Sequence, residues 1–216
     1  MLNIHQLNEG DLILDLKKEY YRRTAETIIK NMEQRNMSAC YAATKQEATQ
    51  KVCSLIEDNA SISWGGSMTL LEIGLFEQLS ANPSYKLFDR STVLPDQIED
   101  IYRAAFSCDY YIMSSNAVTL DGKLINIDGT GNRTAALIYG PQNVIIVAGM
   151  NKVATNEHEA LSRVKNIASP LNALRMNKDT PCTKTGMCHD CLTPDCFSCR
   201  QSSPATAASK TVSKLF

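Results

Sequence analysis

The chain has 216 residues, 44% of them hydrophobic and 21% charged, with a formal net charge of −1. That composition is ordinary for a soluble globular chain of one sizeable α/β domain or two small ones, and the near-zero charge gives no electrostatic case for nucleic acid or an anionic membrane. No apolar run approaches the ~20 residues of a membrane helix, and the N-terminal stretch MLNIHQLNEGDLILDLKKEYYRR lacks a basic start followed by an apolar core; a cytoplasmic protein without a leader is the expectation.

Asn8 to Asn36 reads as one long helix, with Leu12, Leu16, Tyr20, Thr24, Ile28 and Met32 at helical spacing and Asn8 or Asp11 as cap. Its length leaves room for part of it to pack on a second subunit of a homodimer, or simply along its own domain. An alternating pattern follows. Ser38–Thr44 suits a strand, Lys45–Glu57 a helix, Ser61–Gly65 a strand, Ser67–Leu79 a helix, Tyr85–Asp89 a short strand, and Pro95–Phe106 a helix with proline at its first turn. Tyr110–Met113 is a buried strand. Within the next segment Asp121-Gly122 is expected as a two-residue hairpin turn between AVTL and KLINI. A helix from Gly131 to Tyr139, a strand Val144–Gly149 and a helix Asn156–Ile167 complete the pattern. Strands alternating with helices of this length predict a Rossmann-like, mainly parallel sheet with helices on both faces. The organisation reads as an N-terminal helical segment (1–36), an α/β domain (37–170) and a Cys-rich tail (171–216), the last expected to be mobile at its end.

Two segments carry candidate binding chemistry. In SWGGSMT, Gly65 and Gly66 leave backbone N–H groups open at a strand-to-helix turn, with Ser67 as cap and Thr69 just inside the helix. Such a turn suits phosphate or carboxylate, or is a plain turn that uses glycine for geometry alone. Glu72, one turn on, either reaches the same pocket as an acid/base or is an ordinary exposed glutamate. In SSNAVTLDGKLINIDGTGNR, Asn116 ends a strand, while Asn126, Asp128, Gly129, Thr130, Asn132 and Arg133 converge after the hairpin. Buried beside Arg133, Asp128 would stay ionised and act as a base or orient a substrate hydroxyl, and Arg133 would clamp a carboxylate or phosphate. The alternative is that these side chains satisfy one another and the loop backbone. Ligand binding is the favoured expectation, since so many convergent polar groups exceed what one loop needs.

Of the eight cysteines, Cys40, Cys53 and Cys108 sit in apolar contexts and read as inert buried thiols. Cys182, Cys188, Cys191, Cys196 and Cys199 form C-x5-C-x2-C-x4-C-x2-C. In a cytosolic chain this spacing points to a metal rather than disulfides, either zinc or an iron–sulfur cluster, with one candidate ligand to spare and His189 as a less favoured substitute.

With SWGGSMTLLEIG, SSNAVTLDGKLINIDGTGNRTAALIYGP, VAGMNKV and PCTKTGMCHDC in view, the chain resembles the lactate-utilization (LUD) domain family over most of its length. The resemblance implies an accessory or binding component of L-lactate oxidation to pyruvate, working with iron–sulfur partner proteins. Family tails of this kind carry Cys182, Cys188, Cys191 and one later cysteine. A more distant likeness joins SSNAV…NIDGT to sugar-phosphate isomerases of the NagB/RpiA/CoA-transferase-like fold, which implies that fold here. There Asn116 stands in place of the isomerase aspartate and Ile127 in place of its lysine, so isomerase chemistry is not expected. An independent enzyme acting on a sugar phosphate or acyl thioester, with Asp128 or Glu72 as acid/base and zinc as a structural ion, is the alternative reading.

Overall fold

The structure is a computed structural model; it describes residues 9–189, 201–205 and 211–215. Its helices and strands in chain order are α1 (Glu9–Glu33), β1 (Ala39–Cys40), α2 (Lys45–Ser54), β2 (Ser61–Trp64), α3 (Met68–Glu72), α4 (Leu75–Ala81), β3 (Lys86–Phe88), α5 (Ile98–Ala104) and β4 (Tyr110–Met113). They continue with β5 (Ala117–Thr119), β6 (Leu124–Asp128), α6 (Asn132–Tyr139), β7 (Asn143–Val147), β8 (Val153–Ala154), α7 (Glu157–Arg163), α8 (Ser169–Arg175), α9 (Pro181–Thr185), β9 (Gln201–Ala205) and β10 (Thr211–Leu215).

A parallel six-stranded sheet in the order β1-β10-β7-β4-β2-β3 forms the centre, and a second sheet runs β8-β5-β6-β9. The apolar runs of β4 and β7 explain why the main sheet is covered on both faces, since alternate residues of a strand point to opposite sides. Tyr110, Ile112, Ile145 and Val147 pack with Val52 of α2, Leu70 of α3 and Leu75 and Leu79 of α4. Tyr111, Met113, Val144 and Ile146 pack with Ala25, Ile28 and Met32 of α1, Ala105 beyond α5, and Ala136 and Leu137 of α6. Thus β2 connects to β3 across one face through α3 and α4, and β3 returns to β4 across the other through α5. The winding of the sheet reverses between the parallel neighbours β2 and β4, and a crevice opens there beyond their carboxyl ends, where open α/β sheets bind ligands.

Several expected elements differ in detail. The helix expected over Ser67–Leu79 is two helices split at Gly74, which adopts φ +71°. The hairpin turn is longer than the expected pair: Val118 faces Leu124 and Thr119 N–H donates to Lys123 O, so Leu120, Asp121 and Gly122 form the loop. Gly122 closes it at φ +83°, and a Cβ there would lie 3.0 Å from the Met32 backbone nitrogen. The loop docks on the end of α1 through Asn31 Nδ2 to Leu120 O at 2.8 Å and Arg35 Nε to Asp121 O at 2.9 Å. Only the second half of α1 is anchored: Ala25, Ile28 and Met32 are buried, whereas Ile13, Leu16 and Tyr20 are exposed. The last expected helix does not stop at Ile167 but passes through a π-turn at Val164–Ala168 into α8, the Ser169 N–H bonding Val164 O just before Pro170. Nor does residue 170 bound a separate tail, because β9 pairs with β6 and β10 inserts between β1 and β7. No helix among the described residues is long and apolar enough to cross a membrane.

Candidate functional site

Arg133, near the start of α6, organises the loops after β4 and β6. Its Nε donates to Asp128 Oδ1 at 2.9 Å, Nη1 to Ser114 O at 3.0 Å and to Asn126 Oδ1, and Nη2 to Asn116 Oδ1 at 2.7 Å and Ile127 O at 3.2 Å. A guanidinium has five N–H donors, and all are taken. Asp128 is equally committed. Oδ2 accepts from the Thr134 backbone N–H at 2.6 Å and from its hydroxyl, and Oδ1 holds Arg133. Because Gly131 at the N-cap of α6 has no side chain to offer, Asp128 serves as a remote cap, with its negative charge at the favourable end of the helix dipole. The carboxylate is 8% exposed.

These contacts correct two expectations. Arg133 has no donor left to clamp a ligand, and Asp128 has neither the access nor the freedom of a base. The polar segment does converge as expected, but around Arg133. Asn116 Oδ1 also accepts from Ile127 N–H at 3.0 Å, and Asn126 Oδ1 from Asn116 N–H at 3.3 Å. Asn126 is fully buried, and its Nδ2 is a buried side-chain donor without a partner among the described residues. Since its oxygen is pinned by Arg133 and Asn116, the amide cannot be reversed to satisfy that nitrogen. Gly129 and Thr130 are exposed at the rim, while Asn132 lines the crevice.

The Gly65-Gly66 turn forms the facing wall. Gly65 N–H donates back to Ile112 O at 2.9 Å, tying the loop after β2 to β4. Ser67 caps α3 by accepting from Leu70 N–H, Thr69 is half-buried within that helix, and Glu72 is exposed at its end. A Cβ on Gly65 would lie 3.1 Å from Arg133 Cδ and 3.2 Å from Tyr111 Oη. A Cβ on Gly66 would lie 2.3 Å from Arg90 Nη2 and 3.6 Å from Arg175 Nη2. Gly65 is thus closely packed by Arg133 and Tyr111, and Gly66 by the mobile end of the Arg90 side chain.

Sequence reasoning missed these cations. Arg90, two residues past β3, donates to Tyr102 Oη at 3.0 Å, and Arg175, the last residue of α8, to Asn172 Oδ1 at 2.6 Å. Lys152, in the turn after β7, donates to Ser114 Oγ at 2.7 Å. Arg163 of α7 donates to Asn151 O at 3.1 Å and to Asn116 O. None of the four pairs with a carboxylate among the described residues. Burial, reinforced by Arg163 and Arg133 and opposed by Glu72, pushes the Lys152 amine down to about 8. Burial also lowers Arg163 and Arg175, the latter helped by Arg90. Lys152 lies in the VAGMNKV motif and Arg90 just beyond a strand, so both carried a positional signal; Arg163 and Arg175 carried none. Tyr111, buried beneath this turn, makes no hydrogen bond through its hydroxyl among the described residues, and burial raises that hydroxyl above its ordinary range. With Ser63, Arg90, Tyr102 and Asn132 it lines a small cleft.

Cys40, Cys53 and Cys108 fit the inert reading: burial raises all three, Cys108 to about 11. Of the expected metal ligands, Cys182 is buried at the start of α9 with its Sγ 3.2 Å from Thr180 Oγ1, and Cys188 is half-buried. His189 contacts Thr185 Oγ1 at 2.7 Å. Cys191, Cys196 and Cys199 lie outside the described residues, among which no group of three metal-binding side chains occurs.

The model of the LUD domain family matches residues 25–213. Among solved structures, a DUF162 family protein from Deinococcus radiodurans is 9% identical and matches 90% of this chain and 96% of its own, with a TM-score of 0.50. Ribose 5-phosphate isomerase A from Neisseria gonorrhoeae matches 52% of this chain and 54% of its own at 13% identity and a TM-score of 0.36. Ribose 5-phosphate isomerase from Plasmodium falciparum matches 52% of each chain at 17% identity and a TM-score of 0.34. No curated protein matches the chain.

Proposed function

From the premise that this chain belongs to the LUD-domain family, associated with lactate utilization, we propose that it is a binding component of L-lactate oxidation to pyruvate whose crevice holds a small anion, a carboxylate or phosphate. The observation that carries the reading is the set of four cations, Arg90 and Arg175 at the Gly65-Gly66 turn and Lys152 and Arg163 at the loop after β4, without a carboxylate partner among the described residues. Like charges brought together and partly buried oppose folding unless something negative joins them. The switch-point position of the crevice supports the same reading. The test is calorimetric titration of inorganic phosphate and L-lactate into the wild type and Arg90→Ala. Saturable binding of either, weakened at least about tenfold in the variant, is expected for a lost charge-assisted contact; binding that survives the substitution unchanged, or no binding of either anion, sinks it.

The tail cysteines belong to the same proposal. The described donors, Cys182 and Cys188, are thiols, a set that suits zinc or an iron–sulfur cluster and not a hard cation. When bound, a cluster would supply electron transfer and zinc a structural clip, held by Cys182, Cys188 and a choice among Cys191, Cys196 and Cys199. Protein purified without oxygen should contain iron with acid-labile sulfide, or zinc without it; the absence of both metals would refute the assignment.

Lys152 favours a second reading. A lysine pushed to about 8 at a crevice that Glu72 also borders is suited to proton transfer. Under that reading the chain is an enzyme acting on a sugar phosphate or acyl thioester, with Lys152 and Glu72 in the acid/base roles that Asp128 cannot fill. Turnover of such a substrate that disappears in Lys152→Met would favour it over the binding reading.

A further inference from the structure

The four cations fall into two pairs, and Arg133 stands between them. Arg90 and Arg175 flank Gly66. Lys152 and Arg163 meet around the loop after β4, Lys152 at Ser114 Oγ and Arg163 at Asn116 O. One run of contacts joins the pairs. Gly65 precedes Gly66 and packs on Arg133 Cδ, Arg133 donates to Ser114 O at 3.0 Å, and Ser114 Oγ accepts from Lys152 at 2.7 Å. Asp128 neutralises Arg133 through a contact of 2.6 Å. The loops after β2 and β4 therefore carry two positive poles on either side of an electrically closed centre.

Tyr111 marks that centre. Its side chain is 2% exposed, it lines the cleft with Arg90 and Asn132, and its hydroxyl sits against Gly65 with no protein acceptor among the described residues. A phenol that reaches a cleft without a protein partner is open to a ligand oxygen. A single monoanion would occupy one pole and leave the other unpaired.

We propose that the ligand carries two anionic groups joined by a short polar backbone, a phosphomonoester of a small carboxylic acid, with the phosphate at Arg90–Arg175 and the carboxylate at Lys152–Arg163. The planar guanidinium forks beside an open glycine turn suit phosphate, and the lysine, hydroxyl and arginine of the second pole suit a carboxylate. The Tyr111 hydroxyl donates to an oxygen of the connecting backbone. This rests on the anion-binding reading above and narrows it.

Calorimetric titration of phosphoglycolate, inorganic phosphate and L-lactate into the intact protein tests it. Phosphoglycolate should bind at least about tenfold more tightly than inorganic phosphate, because the second group adds as an intramolecular contact. Lys152→Met should erase that advantage while leaving phosphate affinity in place, and Lys152→Arg should keep it. Tyr111→Phe should weaken phosphoglycolate by roughly three- to tenfold, one hydrogen bond's worth. Circular dichroism melts establish that each variant is folded. Equal affinities for phosphate and phosphoglycolate in the wild type, with phosphate lost in Arg90→Ala, would overturn the two-pole proposal and leave the anion site standing. A folded Lys152→Met that keeps the phosphoglycolate advantage would overturn it in the same way. No binding of any of the three would overturn both.

Discussion

Arg133 and Arg90 approach the same pair of glycines with the same side chain and opposite surroundings. Arg133 gives all five donors to intramolecular acceptors and is closed by a buried carboxylate. Arg90 makes one hydrogen bond, to a tyrosine hydroxyl, and has no carboxylate among the described residues. Position beside the crevice therefore does not by itself make an arginine available to a ligand. A saturated guanidinium builds the wall, and an unsaturated one faces whatever the wall was built for.

The largest expected effect falls on the wall. Arg133→Ala removes the charged partner of the buried Asp128 and one donor each from the Asn116 and Asn126 side-chain oxygens, so chemical denaturation should show a loss of about 3–5 kcal/mol, the range for breaking a buried ion pair. Arg90→Ala and Arg175→Ala should behave in the opposite way, with anion affinity falling at least about tenfold and stability within roughly 0.5 kcal/mol of the wild type, because no folded-state ion pair is lost. If Arg90→Ala destabilises as much as Arg133→Ala, the distinction between the two arginines fails.

Lys152 sharpens the comparison through pH. Its folded-state value of about 8 lies below its ordinary value, so the unfolded chain binds the extra proton and stability rises with pH from about 8 toward the ordinary lysine range. A bound anion favours the charged amine. Binding should therefore take up a proton near pH 8, and affinity should fall as pH climbs through that value. Titrations of phosphoglycolate at several pH values should show this fall in the wild type and not in Lys152→Met. The smallest expected effect belongs to Gly66→Ala. Its Cβ would displace the far end of the Arg90 side chain, which moves easily, so anion affinity should drop severalfold while the melting temperature hardly changes.

Much of this architecture was legible in the residues. The buried runs Tyr110–Met113 and Val144–Gly149 announced a sheet covered on both faces, and Gly65 packs directly on Arg133. What the sequence left open was which polar groups are used up. Asp128 and Arg133 are five residues apart and read as a base beside an anion clamp; only the fold shows that Thr134 and the Ser114 and Ile127 carbonyls complete their shells. Arg163 and Arg175 lie 98 and 109 residues beyond Gly65 and Gly66 in the chain, and no local pattern links them to the turn. Likewise the strands β9 and β10 sit in segments whose weak periodicity hid their place in the sheets, since pairing with β6 and β7 is a non-local property.

The most direct test of the anion site is titration of inorganic phosphate into the Arg90→Ala, Arg175→Ala double variant beside the wild type, with melting curves on both. Saturable binding in the wild type is expected, with a wild-type melting temperature and no measurable phosphate binding in the double variant. A double variant that melts like the wild type and still binds phosphate with undiminished affinity would contradict the assignment of these two arginines to the ligand.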